Sequence, residues 1–348
     1  MVYNDYRFRV PAEKQVRVIT NTDAKNEADD QFAIVQTLLS PKLDNVGFIA
    51  AHYGTKHADS MERSCRELET IFDKMGFDKE GMIFRGAPHA IPDTKTPVDS
   101  EGARLIIREA MKDDPRPLYI TFMGPLTDMA SALLMEPRIA GRCTVIWIGG
   151  GVYPNGGMEF NQDNDIHAVN VVFRSKVPVW QIPRNVYEMM AVSLAELEYR
   201  VRPCGEIGEY LCDQLIEHAF EDGPRQSDFR TGESWVLGDS PSVGLILYEH
   251  RCEFDWVSAP RVSRDSTYIH DQKNRPIRVY RRIDSRLILE DMYAKLALFH
   301  QGRKQYHKTI RHTKKGTCEH EAHPHRLCPY PPQHLLCPRR HQVPRPDR

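Results

Sequence analysis

The sequence predicts an α/β fold, a doubly wound and mostly parallel sheet of the Rossmann-like kind with helical insertions in its C-terminal half. Three observations predict it. Through the first 300 residues, short apolar runs rich in β-branched residues alternate with longer amphipathic ones, the pattern of strands covered on both faces by helices. The chain has 348 residues, 41% of them hydrophobic and 27% charged, so it can bury a large core and has the composition of an ordinary globular protein. Nowhere does it approach the roughly 18 uncharged apolar residues of a membrane span.

The elements follow in order. VRVIT (16–20) reads as the first strand and FAIVQTLLS (32–40) as the helix after it. VGFIAA (46–51) is the second strand, followed by a helix from about Ala58 to Phe72. MIFRGA (82–87) and LYITFMG (118–124) are strands on either side of the helix GARLIIREAM (102–111). A helix near Leu126–Met135 leads into the strand TVIWIGGG (144–151); IHAVNVVFRS (166–175) is helical and VPVWQIP (177–183) extended. Beyond Leu194 the pattern turns mostly helical, with a β-rich patch near 254–284 and a last helix, RLILEDMYAKLALFHQ (286–301).

Neither a repeat nor a linker interrupts residues 1–302, which read as one domain. Residues 303–348 read as a separate basic tail, with 7 Pro, 7 His and 3 Cys and little apolar periodicity, and are expected to be disordered. Its Cys318, His320, His323, His325 and Cys328 match no standard zinc-finger spacing. The formal net charge of −1 conceals this division, because the tail has 11 basic residues against 3 acidic and the body 36 against 45. An acidic body argues against nucleic acid as the partner and suits a metal or a neutral polar substrate. The opening MVYNDYRFRVPAEKQ has no apolar run, so no signal peptide, anchor or membrane partner is expected and the chain reads as cytoplasmic.

Four segments could carry chemistry. NTDAKNEADDQFAI (21–34) gathers Asp23, Glu27, Asp29 and Asp30 where the first strand meets the first helix, the end at which such sheets place their sites. Clustered hard oxygen ligands suit calcium or magnesium. Asp29 and Asp30 are equally explained as a cap on the helix that follows, whereas Asp23, at the end of an apolar strand, is not. FMGPLTDMASALL (122–134) makes a tight strand-to-helix turn that exposes carbonyls such as that of Met123. In IGGGVYPNGGMEFNQDNDIHAV (148–169), Asn155, Glu159 and Asn161 offer groups suited to sugar hydroxyls, although an ordinary Asn- and Gly-rich turn also explains the segment. The glycines do not form GxGxxG, so a dinucleotide site is unsupported. In LGDSPSVGLIL (237–247), Asp239 heads an apolar helix and by itself reads as a cap.

Taken in order, the TD…DD loop, MGPLTD, GGG…EFN…D and a late solitary Asp resemble the nucleoside hydrolase family over about residues 15 to 300. The likeness is strongest in EFNQDNDIHAVNVVF and MGPLTDMASALLMEPRI, and the longer TD…DDQ loop is similar to that of a less characterised branch. The resemblance implies the nucleoside hydrolase fold and a calcium ion, Ca2+, held by Asp23, Asp30, Asp239 and the main-chain carbonyl of Met123. It implies Asp29, Asn155, Glu159 and Asn161 as holders of ribose hydroxyls, and Asp23 as the base that deprotonates a metal-held water to cleave the N-glycosidic bond of a ribonucleoside or related ribosyl compound. It further implies a homodimer or homotetramer. The chain departs from the family at Tyr53-Gly54, where Asn is usual, and at Gly238, where His is frequent before the last Asp; His52, His57, Tyr53 and Trp235 are the ring-bearing residues nearby in sequence. The leaving group is therefore left open. Two other readings stand beside this one: a hydrolase of a different glycoside on the same fold, and a nucleoside- or sugar-binding protein without turnover.

Overall fold

A computed structural model of the chain describes residues 1–221 and 232–316. Its strands are β1 (Val16–Thr22), β2 (Leu43–Ala50), β3 (Ile83–Arg85), β4 (Leu118–Phe122), β5 (Thr144–Ile148), β6 (Val179–Ile182), β7 (Ala191–Ser193), β8 (Ser234–Val236), β9 (Glu253–Ser258), β10 (Arg261–Val262), β11 (Tyr268–Ile269) and β12 (Pro276–Arg282). Its helices are α1 (Asp30–Leu38), α2 (Ser60–Met75), α3 (Glu101–Met111), α4 (Thr127–Met135), α5 (Phe160–Asn164), α6 (Ile166–Arg174), α7 (Arg184–Tyr187), α8 (Leu194–Arg200), α9 (Glu206–Glu221), α10 (Ser240–Tyr248) and α11 (Ser285–Gly316).

Eight strands form one sheet in the order β3-β2-β1-β4-β5-β6-β12-β9, parallel throughout except for β9, which runs antiparallel to β12. This is the doubly wound architecture expected. Alternate residues of the central strands feed opposite cores, as the two-residue period of a strand requires. Val16 and Val18 of β1 pack on one side with Ile146 and Ile148 of β5. Ile19 packs on the other, with Val145 and Trp147. Every residue of β1 is buried.

Chain order reverses between β1 and β4, which lie side by side. Such a switch point leaves a crevice at the carboxyl ends of its strands, because the connecting helices depart to opposite faces. Asp23 directly follows β1 and Met123 directly follows β4.

Three features differ from the sequence reading. The segment before Asp165, which the sequence allows as an Asn- and Gly-rich turn, holds a short helix, α5, because Glu159 accepts hydrogen bonds from the amides of Asn161 and Gln162 and caps it. A two-stranded ribbon, β7 with β8, stands apart from the main sheet. The last helix continues to Gly316 instead of stopping at 301. The disorder and metal readings of the tail fall on residues 317–348 for the most part, outside the described residues. No described helix is long and apolar enough to cross a membrane.

Candidate active site

A cavity of about 630 Å³ opens at the carboxyl ends of β1, β4 and β5. Its lining includes seven of the eight residues singled out by the sequence: Asp23, Asp29, Asp30, Met123, Glu159, Asn161 and Asp239. The six with polar side chains are only 1% to 8% exposed.

Local sequence explains how they meet. The Gly-Pro turn after β4 closes tightly against the first loop, since a Cβ on Gly124 would stand 3.0 Å from Cγ of Asp23. Asp128 pins that turn, accepting from Asn21 Nδ2 (2.9 Å), the Ser100 hydroxyl (2.6 Å) and the Ala87 amide (2.9 Å), and so ties α4 to β1 and to the cap of α3. The Thr22 hydroxyl donates to Asp30 at the start of α1. Asp29 accepts from the amides of Asp30 (3.1 Å) and Asp239 (3.2 Å), which joins the first turn of α1 to that of α10, 210 residues away. The N-termini of α1 and α10 thus both point at the carboxylates, and their dipoles favour negative charge there.

The carboxyl oxygens of Asp29, Asp30 and Asp239 come within 4.8 Å of one another. This trio takes Asp29 where the family resemblance implied Asp23, because the two backbone amides draw Asp29 across to α10. Asp23 stands beside the trio, and its buried Oδ2 has no hydrogen-bond partner. Burial, followed by the charges of Asp30, Glu27 and Asp29, pushes the Asp23 carboxyl well above the usual range. Burial and the charges of Asp29, Asp30 and Asp23 do the same to Asp239. Burial and the Asp30 charge push Asp29 up to about 7, and burial, opposed by hydrogen bonds from Thr22 and Asp239, pushes Asp30 up to about 7. Four carboxyls held together at this cost, one with an orphaned oxygen, suit a hard divalent cation.

Asn161 donates through Nδ2 to the carbonyls of Met123 (3.0 Å) and Ile148 (3.0 Å). Both Nδ2 protons are thereby used, and Oδ1 is the atom left for a ligand. Glu159 accepts from four donors, the amides of Gly150, Asn161 and Gln162 and the Tyr187 hydroxyl. Asn155, which the resemblance implied as a holder of ribose hydroxyls, is not brought to the cavity. Its backbone carbonyl accepts from the Tyr268 amide beside the bridges Val152–Gly156 and Gly156–Thr267, and its side chain is exposed, outside the cavity lining. Asn155→Ala is accordingly expected to leave thermal stability within about 0.5 kcal/mol of wild type and nucleoside turnover unchanged, as a melt and a rate assay would show.

Of the ring-bearing residues near the departures from the family, only Trp235 lines the cavity. His52 is buried, held neutral with its pKa down to about 4 chiefly by burial, and bridged through Thr127 to Asp165. Tyr53 and His57 pack edge to face on each other. Among the described lining residues there is no imidazole. Sequence reasoning missed Arg184 and Tyr187, which line the cavity from α7. Their one signal was position, immediately after the strand β6.

The chain matches the family model described as inosine-uridine preferring nucleoside hydrolase over residues 18–290. The pyrimidine-specific ribonucleoside hydrolase RihA of Salmonella arizonae is 24% identical over 234 residues, 61% of this chain and 72% of that protein. Among solved structures, a purine-preferring ribonucleoside hydrolase from Gardnerella vaginalis superposes with a TM-score of 0.67 at 19% identity, covering 82% of this chain and 99% of that one. The type III effector protein XopQ, solved in complex with adenosine diphosphate ribose, superposes with a TM-score of 0.58 at 15% identity over 83% and 94% of the two chains.

Proposed function

The chain belongs to the inosine-uridine preferring nucleoside hydrolase family, a family of N-glycosyl hydrolases, and from that membership we propose a calcium-dependent hydrolase of ribosyl N-glycosidic bonds in which Asp23 is the general base. The observation that carries the reading is the buried group Asp23, Asp29, Asp30 and Asp239 at the switch point, with Asp23 Oδ2 unpartnered. Asp23, Asp30, Asp239 and the Met123 carbonyl would hold the calcium. Bound there, calcium supplies a positive centre that polarises and orients water.

The chain's own residues do the rest. Asp23 takes the proton of the attacking water through Oδ2. Asp29, fixed by two backbone amides, and Asn161, through Oδ1, hold ribose hydroxyls and set the sugar carbon against that water. Bond cleavage leaves the sugar oxocarbenium-like, and the surrounding carboxylates stabilise its growing positive charge. Gly238 offers no proton to the leaving group, so departure is fastest where the leaving group is a weak base.

The test is a panel of ribonucleosides and ribosyl p-nitrophenol, incubated with the protein and calcium and scored by released reducing sugar. The nitrophenyl compound is expected to turn over fastest. Brisk hydrolysis of inosine with none of the nitrophenyl riboside would overturn the leaving-group assignment. A second reading is a sugar-binding protein without turnover, supported by the lack of an imidazole among the described lining residues; it becomes the better one if nothing is cleaved with calcium bound. A homodimer or homotetramer is the assembly proposed, to be read by sedimentation.

A further inference from the structure

An ionised carboxylate has about four lone-pair sites, and in Glu159 all four are taken. Oε2 accepts from the amides of Gly150 (2.7 Å) and Gln162 (2.9 Å). Oε1 accepts from the amide of Asn161 (3.2 Å) and from the Tyr187 hydroxyl (3.2 Å). Three of these donors are backbone groups fixed by the loop after β5 and by the first turn of α5. The fourth, a phenol on a rotatable side chain, is the one donor that can give way.

The ring of Tyr187 is committed as well. A Cβ added to Gly238 would lie 3.1 Å from Tyr187 Cδ2 and 3.3 Å from Asp29 Oδ2. Tyr187 therefore packs over Gly238 at one end and reaches Glu159 at the other, lining the cavity wall between the acidic cluster and the sugar-facing loop. Its side chain and the glycine form a matched pair. A hydroxyl arriving from a sugar at Glu159 finds that site already filled by an equivalent hydroxyl of the protein.

We propose that Tyr187 is a specificity-determining residue, whose hydroxyl takes on Glu159 the place of one sugar hydroxyl, so that the cavity selects pentosides that are deoxy or substituted at that position. This rests on the reading of the cavity as a ribosyl site. A fully hydroxylated ribose must displace Tyr187 before it can bond Glu159, and it loses the Tyr187–Glu159 hydrogen bond in doing so. A sugar lacking that one hydroxyl leaves the bond intact.

The test is calorimetric titration of the calcium-loaded full chain with ribose and with its 2-, 3- and 5-deoxy forms, wild type against Tyr187→Phe. These are free sugars, so binding is read without turnover. In the wild type, one deoxy sugar is expected to bind at least as tightly as ribose. In Tyr187→Phe, ribose should gain roughly three- to tenfold, the worth of one hydrogen bond, while that deoxy sugar gains nothing. With the matching nucleosides the gain should lie in KM, with kcat little changed. Tyr187→Leu, which also lacks the hydroxyl, must repeat the pattern if the phenylalanine variant folds poorly. An equal change for all four sugars, or weaker ribose binding in both variants, overturns the proposal and marks Tyr187 as packing alone. If the sugar pattern holds and no nucleoside is cleaved, the hydrolase reading falls and the role of Tyr187 stands. Turnover without the pattern gives the reverse. No binding of any sugar removes both.

Discussion

Asp23→Asn is expected to lower N-glycosidic hydrolysis by about 10²- to 10⁴-fold, the usual cost of removing a general base. The substitution keeps the volume of the side chain at the end of β1, and it adds a donor where the structure has an unpartnered oxygen. The fold should therefore survive. Single-turnover rates with the nitrophenyl riboside separate the base from any step at the leaving group, because nitrophenolate departs without a proton. Asp23 is then the base only if the loss appears with this substrate as fully as with uridine. A loss below tenfold on both would remove Asp23 from that role.

Chelated protein is expected to lose thermal stability as pH rises from about 5 to about 8, and calcium is expected to abolish that slope. The sign follows from the carboxyls. Asp29 and Asp30 titrate near 7 in the folded chain and near 4 when unfolded, with Asp23 and Asp239 displaced in the same direction. Between those values the folded state holds more protons than the unfolded one, so unfolding releases protons and stability falls as pH increases. A divalent cation replaces those protons. At a free concentration 100-fold above its dissociation constant it adds about 2.7 kcal/mol, or about 4 °C for a chain of this size. The gain should be largest at pH 8 and small at pH 5. Scanning calorimetry with calcium and with chelator reads both, and superimposable melts at pH 8 would remove the cation from this site.

Much of the site was legible because its groups are local in sequence or sit where strands end. Asp23 is marked by an acid closing an apolar strand, and Asp29 and Asp30 by a cap at the next helix. The parallel sheet was legible for the same reason, since a strand buried on both faces has to be apolar along its whole length. What could not be read depends on apposition across the chain. Asn155 and Asn161 are six positions apart and equally polar, yet only Asn161 reaches the carbonyls of Met123 and Ile148. Asn155 is exposed, its backbone carbonyl accepting from the Tyr268 amide beside the bridge from Gly156 to Thr267, more than 100 residues away. Tyr187 carries no motif, and its relevance appears once α7 is set beside Glu159 and Gly238. Glu159 is readable in the sequence as a polar group suited to sugar hydroxyls, but the count of donors already on it belongs to the folded chain.

Two helices begin at the acidic cluster, and the positive ends of α1 and α10 offset part of the repulsion among its carboxyls. The protons held by Asp29 and Asp30 near neutrality offset more. By this arrangement the chain would not need the proposed cation in order to fold. The sheet can close around partly protonated acids, and the proposed cation would displace their protons on binding. Under the proposed calcium dependence, chelated protein is expected to stay folded but inactive, and its activity should return on adding the ion without a refolding step.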